Sequence, residues 1–403
     1  MTASPVQRWQ REQLGYCSNI HPGETLDEIR QVVRNHITAV RTQRGIESMM
    51  AGLWISAECA DQLTRNTEDL KHFGELLADA GIEVCTLNGF PYGNFHTDVV
   101  KASVYEPDWS EMNRFSYTLK LAELLAELLP ESSRFGTIST LPLGYADGWS
   151  EAQQNLSIAT LVRLAQALED LERETGRRIV VCLEMEPDCV LERTTRLLRL
   201  FNKELPAAAE ETSVAPETIR RYIGVCFDVC HQAVMFENPA ESLRKIHKAG
   251  IFIGKIQLSS ALEVARPDTP EIIAALSEFD EPRYLHQVRA RNANGDITAA
   301  ADLGDALKDE QFGNEAIWRV HFHVPIQATE LSIPRLRTTR RLIEDVLDVL
   351  TEKPELRPHL EVETYTWREL PDSLRADDDA ALHAGLAREL AWVESELMSR
   401  NLL

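Results

Sequence analysis

Short apolar runs alternate with amphipathic stretches along the whole chain. Eight apolar runs have the length of buried strands, and a stretch with helical periodicity follows each of them. The predicted strands are residues 14–20, 50–56, 82–89, 135–142, 179–187, 223–231, 251–260 and 359–367. The predicted helices are residues 25–44, 58–80, 114–129, 151–175, 190–204, 238–249, 335–352 and 377–399. Eight βα repeats predict an α/β fold, a single (β/α)8 TIM barrel over residues 14–399.

Two connections are longer than ordinary βα loops. Residues 89–109 follow the third strand and are rich in glycine, proline and aromatic side chains. Residues 261–334 follow the seventh strand and contain Asn294-Gly295, a pair typical of hairpin turns. Long ordered loops usually bind or cover ligands, and the loops after barrel strands form the active site. We therefore predict that residues 261–334 are a loop insertion that forms a lid over the C-terminal face.

Carboxylate and amide side chains mark the ends of the last four predicted strands. Because side chains alternate along a strand, the two glutamates of IVVCLEMEP share one face, and so do those of HLEVETYTW. Buried ionised groups must be paired or bound to a cation, and one divalent metal would satisfy the whole set. The alternative is that each residue forms a salt bridge at the barrel rim. The candidates are Glu184, Glu186, Asp228, Gln257, Glu361 and Glu363.

The donor chemistry indicates which metal the site would bind. Oxygen ligands favour Mn²⁺ or Mg²⁺, with Zn²⁺ as the second choice if imidazole joins the site. His231 follows Asp228 closely and is a candidate ligand or substrate contact. Lys255 faces inward with Gln257, where it either neutralises surplus carboxylate or binds an anionic group of the substrate.

Further candidate substrate contacts lie in the two long connections. In HFHVPI, His321 and His323 point to one side of a strand, which suits either a metal site or local hydrogen bonds. If the insertion folds back over the mouth, His323 or His286 would complete the site from above. The GFPYGNF region is either a turn packed on the barrel end or the wall of a pocket for a sugar. Its candidate residues are Asn88, Tyr92 and His96.

Net charge narrows the range of partners. The chain has 42 Lys plus Arg against 64 Asp plus Glu, a formal charge of −22. This charge repels nucleic-acid backbones and anionic lipid surfaces. No glycine-rich phosphate loop is present, so a nucleotide cofactor has no support. We expect a small-molecule metabolite as the partner and no nucleic acid.

Cysteine usage and hydropathy bear on the compartment. The seven cysteines lie mostly inside apolar strand patterns, which fits a reducing cytoplasm. The N-terminus lacks the apolar core of a signal peptide, and no run is long enough for a membrane span. We expect a cytoplasmic protein without direct membrane insertion. Trp392 on the last predicted helix is a candidate contact in a homo-oligomer.

Several motifs resemble a known family. The order of a strand-terminal glutamate, then Asp228 with His231, a polar ligand and a final glutamate resembles the xylose-isomerase-like TIM barrels. More narrowly, the chain resembles EboE, the barrel protein of Ebo metabolite-traffic clusters, over residues 14–395. The motifs that carry this resemblance are LGYCSNIHPGET, LNGFPYGNFH, CFDVCHQAV, KIQLSSA, HFHVPI and HLEVETYTW.

The resemblance implies roles for individual residues. It makes His231 a substrate contact or a partner of the metal ligands. The chain departs from the family pattern at Gln257, where many members have histidine, and in the doubled glutamates of two strands. In each pair, the residue nearer the mouth either replaces its neighbour as a ligand or acts as the acid or base. The implied metal ligands are Glu184, Asp228, Gln257 and Glu361.

Two functions of different classes follow from these patterns. The first is a metal-dependent isomerase or epimerase for a small polyhydroxylated metabolite, in which one glutamate of each pair transfers a proton. The second is a binding protein that passes a metabolite to other proteins of an Ebo-type transport system. A third, metal-dependent cleavage of phosphoesters, is disfavoured by the acidic charge.

Overall fold

A computed structural model describes residues 8–314, 316–331 and 335–403. Within these residues the chain forms thirteen strands. They are β1 Leu14–Tyr16, β2 Met49–Trp54, β3 Ile82–Asn88, β4 Gly136–Thr140, β5 Ile179–Glu184, β6 Ile223–Asp228, β7 Ile253–Leu258, β8 Ala261–Ala265, β9 Val288–Arg291, β10 Ile297–Ala300, β11 Ile317–His323, β12 Leu336–Thr338 and β13 His359–Val362.

Eight parallel strands build the barrel. Their order is β1-β13-β7-β6-β5-β4-β3-β2, and a parallel bridge between Cys17 and Gly52 brings the two edge strands together. The predicted (β/α)8 barrel is therefore confirmed. The first strand and the last strand are shorter than predicted, because the chain turns into 3₁₀ segments at Ser18–Ile20 and Tyr365–Arg368.

Helices pack around this sheet. Two predicted boundaries differ from the structure: residues 58–80 form two helices, since Asn66 caps a second one, and residues 336–338 form a strand where a helix was expected. The helices are α1 Leu26–Gln31, α2 Thr38–Arg44, α3 Ala57–Arg65, α4 Thr67–Asp79, α5 Met112–Leu128, α6 Glu151–Thr175, α7 Thr194–Arg199, α8 Leu205–Thr212, α9 Pro216–Tyr222, α10 Val229–Val234, α11 Pro239–Lys248, α12 Pro270–Ser277, α13 Leu303–Ala306, α14 Arg340–Glu352 and α15 Asp379–Ser399.

The segment after β7 carries a sheet of its own. Five antiparallel strands pair in the order β10-β9-β11-β8-β12. The Asn294-Gly295 turn joins β9 to β10, and Gly295 has a φ of +94°, which glycine adopts without strain. Residues 315 and 332–334 of the predicted insertion lie outside the described residues. The role of this insertion sheet as a lid stays a prediction.

No helix of the described ranges is both long and apolar enough to cross a membrane.

A buried ion pair lies inside the barrel. The Lys255 ammonium is 2.6 Å from Oε2 of Glu361, and both side chains are 0% exposed. Burial lowers the pKa of Lys255, but the charge and hydrogen bond of Glu361 together with the neighbouring Cys226 and Cys17 raise it, and the net pKa is raised. Gly52 leaves the space that Glu361 occupies, since a Cβ at position 52 would lie 1.4 Å from Oε1 of Glu361.

This close approach gives a prediction for Gly52→Ala. The added methyl group must displace Glu361 from Lys255, so we expect the free energy of unfolding to fall by about 1–3 kcal/mol. Chemical denaturation measures this change. Gly74→Ala is the matched control, because a Cβ there meets only Leu128 at 3.7 Å. In α4 it should stabilise by roughly 0.5–1 kcal/mol, and equal effects of the two substitutions would contradict the prediction.

Candidate metal and substrate site

Three carboxylates converge at the C-terminal mouth of the barrel. Oxygen atoms of Glu184, Asp228 and Glu363 all lie within 4.8 Å of one another, and the three residues are buried. Glu184 ends β5, Asp228 ends β6 and Glu363 follows β13. Because parallel strands bring their carboxyl ends to one edge, these side chains meet although they are far apart in sequence. We refer to them as the oxygen group.

Asp228 has one committed oxygen and one free oxygen. Its Oδ1 caps α10 by accepting a hydrogen bond from the backbone N–H of His231 at 2.8 Å, and it accepts another from the Ser259 hydroxyl at 2.8 Å. Its Oδ2 is buried and has no hydrogen-bond partner among the described residues. A buried carboxylate oxygen without a partner is costly, so this atom is available to a cation.

The other two members are held by neighbouring side chains. Oε1 of Glu363 accepts hydrogen bonds from the Asn19 amide at 2.8 Å and the Asn88 amide at 3.5 Å. Burial, followed by the charge of Asp228, raises the pKa of Glu363 to about 8. Burial and then the charge of Glu363 raise the pKa of Glu184 well above its usual value. A bound cation would relieve this repulsion.

Glu186 lies apart from the oxygen group and faces different partners. Its Oε1 accepts a hydrogen bond from the Tyr105 hydroxyl at 2.7 Å and lies 3.7 Å from Nδ1 of His321. Its Oε2 is buried without a hydrogen-bond partner in the described part of the chain. Burial raises the pKa of Glu186 to about 7, although the charge of His231 lowers it. A carboxyl group with such a pKa can both accept and release a proton near neutral pH.

Three histidines complete the mouth. His231 is in α10 of the barrel, whereas His321 and His323 are in β11 of the insertion sheet. Nε2 of His231 lies 3.0 Å from Nε2 of His321, and Nδ1 of His231 lies 3.3 Å from Oε1 of Glu184. Burial lowers the pKa of His323 to about 4 and that of His321 well below its usual value. The insertion sheet and the barrel therefore meet at this site.

A pocket opens onto these groups. Oxygen and nitrogen donors line its base, and aromatic rings form much of its wall. The ammonium of Lys101 also lines it, but donates to Tyr284 O at 2.7 Å and pairs with Asp302 at 2.6 Å. Sequence reasoning did not select several of the wall residues: Phe90, Tyr105, Tyr284, Leu285 and Tyr365.

The remaining predicted residues occupy other positions. Glu361 is one pleat deeper than Glu363 and is paired with Lys255 in the barrel interior, so the structure does not bring it into the oxygen group. Gln257 is the register neighbour of both Asp228 and Glu361, and its Oε1 accepts a hydrogen bond from the Cys226 thiol at 3.1 Å. The sequence predicted both residues as metal ligands, and that role stays a prediction.

Three of the predicted substrate contacts do not line the pocket. His286 uses both ring nitrogens, one on the His321 carbonyl at 2.9 Å and one on Glu281 at 2.7 Å. His96 donates from Nε2 to the Asn19 carbonyl at 2.7 Å. The Tyr92 ring packs edge-on against Tyr117. Asn88, Glu184, Glu186, His231, His323 and Glu363 do line the pocket.

The donor set at the mouth fits a divalent metal. Asp228 offers an orphaned oxygen, and the oxygen group supplies three carboxylates within the span of one coordination sphere. Such a set of hard donors suits Mn²⁺ or Mg²⁺. Adjacent imidazoles of His231 and His323 extend the choice to Zn²⁺, because Asp228 also forms a group with both.

Comparisons with known proteins concern the fold. No protein-family model and no curated protein matches the sequence. A xylose isomerase domain protein from Planctomyces limnophilus is 14% identical with a TM-score of 0.48, covering 96% of each chain. A D-tagatose 3-epimerase-like protein is 15% identical with a TM-score of 0.47, covering 96% of this chain and 99% of its own. IolI with a bound zinc atom is 13% identical with a TM-score of 0.45, and the match covers 96% of this chain and 98% of the IolI chain.

Proposed function

We propose that the protein is a metal-dependent isomerase or epimerase that acts on a small polyhydroxylated carbonyl compound, a sugar or a cyclitol. One observation carries this proposal. Glu186 stands outside the oxygen group, has a free Oε2, and lines the same pocket as Glu184 and Glu363. The site therefore combines cation ligands with a carboxylate that is free to move a proton.

In this proposal Glu184, Asp228 and Glu363 hold the metal. When bound, the ion would supply positive charge beside the substrate carbonyl oxygen. The neighbouring side chains orient the ligands: Ser259 fixes Asp228, while Asn19 fixes Glu363. Such outer contacts keep ligand atoms in position before substrate binds.

The proton steps use Glu186, which lies outside the oxygen group. Glu186, after β5, takes the proton from the carbon next to the carbonyl as the C–H bond breaks. In an isomerisation the same carboxyl group returns this proton to the neighbouring carbon, while the proton of the adjacent hydroxyl passes to the former carbonyl oxygen. Glu363, after β13, stays ionised as a cation ligand. Tyr105 stabilises the charged form of Glu186 through its hydroxyl group.

The pocket wall suits a ring with apolar faces. Phe90, Phe95 and Tyr365 present aromatic surfaces, whereas Asn19 and Asn88 present amides near the oxygen group. Sugars and cyclitols have C–H faces that pack on aromatic rings and hydroxyl edges that hydrogen-bond to amides.

The sequence motifs support a more specific proposal. In this proposal the chain is an EboE-like protein of an Ebo-type transport system and has partner proteins in that system.

The first prediction concerns which glutamate of the β13 pair binds metal. Glu363→Gln removes a member of the oxygen group and should weaken Mn²⁺ binding by about 10–100-fold. Asp228→Asn should weaken it to a similar extent. Titration of metal-stripped protein, followed by electron paramagnetic resonance of free Mn²⁺, measures the affinity.

Glu361→Gln is the matched control for this prediction. Its carboxylate pairs with Lys255 and lies outside the oxygen group, so Mn²⁺ affinity should change by less than threefold. Circular dichroism establishes that each variant is folded. A larger loss of affinity in Glu361→Gln than in Glu363→Gln would show that the deeper glutamate is the ligand.

The second prediction concerns proton transfer. Mn²⁺-loaded protein in D₂O should introduce deuterium next to the carbonyl of at least one compound in a panel of ketoses, aldoses and keto-cyclitols. Glu186→Gln should slow this exchange by about 10²–10⁴-fold, because it removes the group that accepts the proton. Mn²⁺ affinity should stay unchanged, and nuclear magnetic resonance measures the exchange.

Glu192→Gln is the matched control, since Glu192 lies nearby in the chain but does not line this pocket. It should exchange deuterium at the wild-type rate. If the metal-loaded protein binds members of the panel but exchanges deuterium into none, a metabolite-binding protein of a transport system replaces the isomerase as the preferred function.

A further inference from the structure

Glu389 is a buried carboxylate that the proposed proton and metal chemistry does not use. It lies in α15 and is 0% exposed. Its three hydrogen bonds all come from neutral donors. Removing an ionised carboxylate from water is expensive unless such bonds replace the lost hydration. The position of the three donors therefore indicates what this carboxylate does.

The donors belong to two segments at the mouth of the barrel. Oε1 of Glu389 accepts hydrogen bonds from the backbone N–H of Ile326 at 3.0 Å and from the Thr364 hydroxyl at 2.7 Å. Oε2 accepts one from the indole N–H of Trp367 at 2.8 Å. Ile326 follows β11, whereas Thr364 and Trp367 follow β13. One carboxylate thus joins two stretches that we call the mouth segments, residues 321–326 and 363–367.

The helix has a shape that fits one of these segments. Gly385 precedes Glu389 by four residues, so both lie on the same side of α15. A Cβ at position 385 would lie 2.9 Å from Cη2 of Trp367, so the indole ring needs the space that glycine leaves. Glycine inside a helix is less stable than alanine, and this contact gives a reason for it here. The indole ring therefore packs on Gly385 and donates its N–H to Glu389.

The two mouth segments carry residues of the candidate site. Thr364 directly follows Glu363, a member of the oxygen group, and His323 lies in the other segment. Nδ1 of His323 donates to the Glu363 carbonyl at 2.8 Å, and the Thr366 hydroxyl donates to the His323 carbonyl. The two segments are therefore tied to each other, and Glu389 anchors both of them to α15.

We propose that Glu389 is a positioning residue that holds Glu363 in the oxygen group through Thr364. This role rests on the proposed function, in which Glu363 is a metal ligand. Glu389 is not among the residues that line the pocket, so it acts through the segments that it anchors. Burial raises the pKa of Glu389 to about 7, although the hydrogen bonds from Trp367 and Thr364 lower it. At pH 8 the ionised form, which accepts all three bonds, predominates.

Amide hydrogen exchange of the metal-free, full-length protein tests this anchoring without metal or substrate. Glu389→Gln replaces one acceptor oxygen by an amide NH₂, which faces a hydrogen-bond donor and cannot accept from it. Exchange at pH 8 should accelerate by about tenfold in peptides that cover the two mouth segments, as expected for one lost hydrogen bond to a charged group. Mass spectrometry measures the exchange. Peptides at the N-terminal ends of the barrel strands should keep the wild-type rate.

Glu394→Gln is the matched control, because Glu394 is a second buried carboxylate on α15. It accepts hydrogen bonds from Arg44 and Arg11, both at 2.8 Å, and Arg44 also donates to the Leu14 carbonyl at the start of β1. This substitution should accelerate exchange around β1 and leave the mouth segments at the wild-type rate. Equal acceleration of the mouth segments in both variants would give Glu389 only a general role in stability and would overturn the proposal.

Mn²⁺ affinity is the second measurement, made by titration of metal-stripped protein at pH 8 with electron paramagnetic resonance. Glu389→Gln should weaken Mn²⁺ binding by about tenfold, since the outer contacts of metal ligands contribute on this scale. Thr364→Val removes the hydroxyl that links Glu389 to the residue after Glu363, and it should weaken binding in the same direction. Glu394→Gln should keep the affinity within about twofold of wild type, although it destabilises the fold.

The two measurements separate this role from the proposed function. Circular dichroism shows which variants fold, and either Glu389→Gln or Thr364→Val is sufficient. If wild-type protein binds Mn²⁺ and a folded variant of these two keeps the wild-type affinity, the positioning role is refuted while the metal site stands. If wild-type protein binds no Mn²⁺, the proposed function fails, and the exchange rates of the mouth segments alone decide. Faster exchange in Glu389→Gln then supports the anchoring, and unchanged exchange overturns it.

Discussion

The mouth of this barrel buries more negative charge than its buried cations neutralise. Glu184, Glu186, Asp228 and Glu363 are all nearly inaccessible to water, and the Lys255 ammonium already pairs with Glu361. The Lys101 ammonium, which lines the pocket, is engaged by Asp302 and backbone carbonyls. Burial of unpaired carboxylates is expensive, so the site needs protons or bound cations to be stable. Without a bound cation, burial raises the pKa values of Glu184, Glu186 and Glu363, which favours their protonated forms.

The insertion sheet strengthens the same constraint. Its strand β11 places two imidazoles, those of His321 and His323, beside the carboxylates in the lining of the pocket. Side chains from both parts of the chain hold it there: Gln287 donates to the Tyr105 hydroxyl at 3.1 Å, and Tyr284 donates to the Phe95 carbonyl at 3.2 Å. The groups that orient Glu186 and His321 are thus the groups that attach the insertion to the barrel.

The barrel and the convergence of β5, β6, β7 and β13 could be predicted from sequence, because hydrophobic period and carboxylate position are local properties. The wall formed by Tyr105, Tyr284 and Tyr365 could not, since those residues meet only through long-range packing. The antiparallel sheet of the insertion could not be predicted either. Its strands β9 and β10 are four residues each, and β10 is largely exposed, so neither has a clear apolar pattern. The sequence predicted only the Asn294-Gly295 hairpin turn and the strand that contains His321 and His323.

The doubled glutamates show most clearly what sequence leaves open. Alternation places both members of each pair on one face, about 7 Å apart along the strand, and it treats the two pairs alike. The structure treats them differently because Lys255 lies on β7, the register neighbour of β13. Lys255 forms an ion pair with Glu361, the deeper glutamate of β13, so that only Glu363 of this pair joins the oxygen group. On β5 no such capture occurs, so Glu184 joins the group and the outer Glu186 is left free to move a proton.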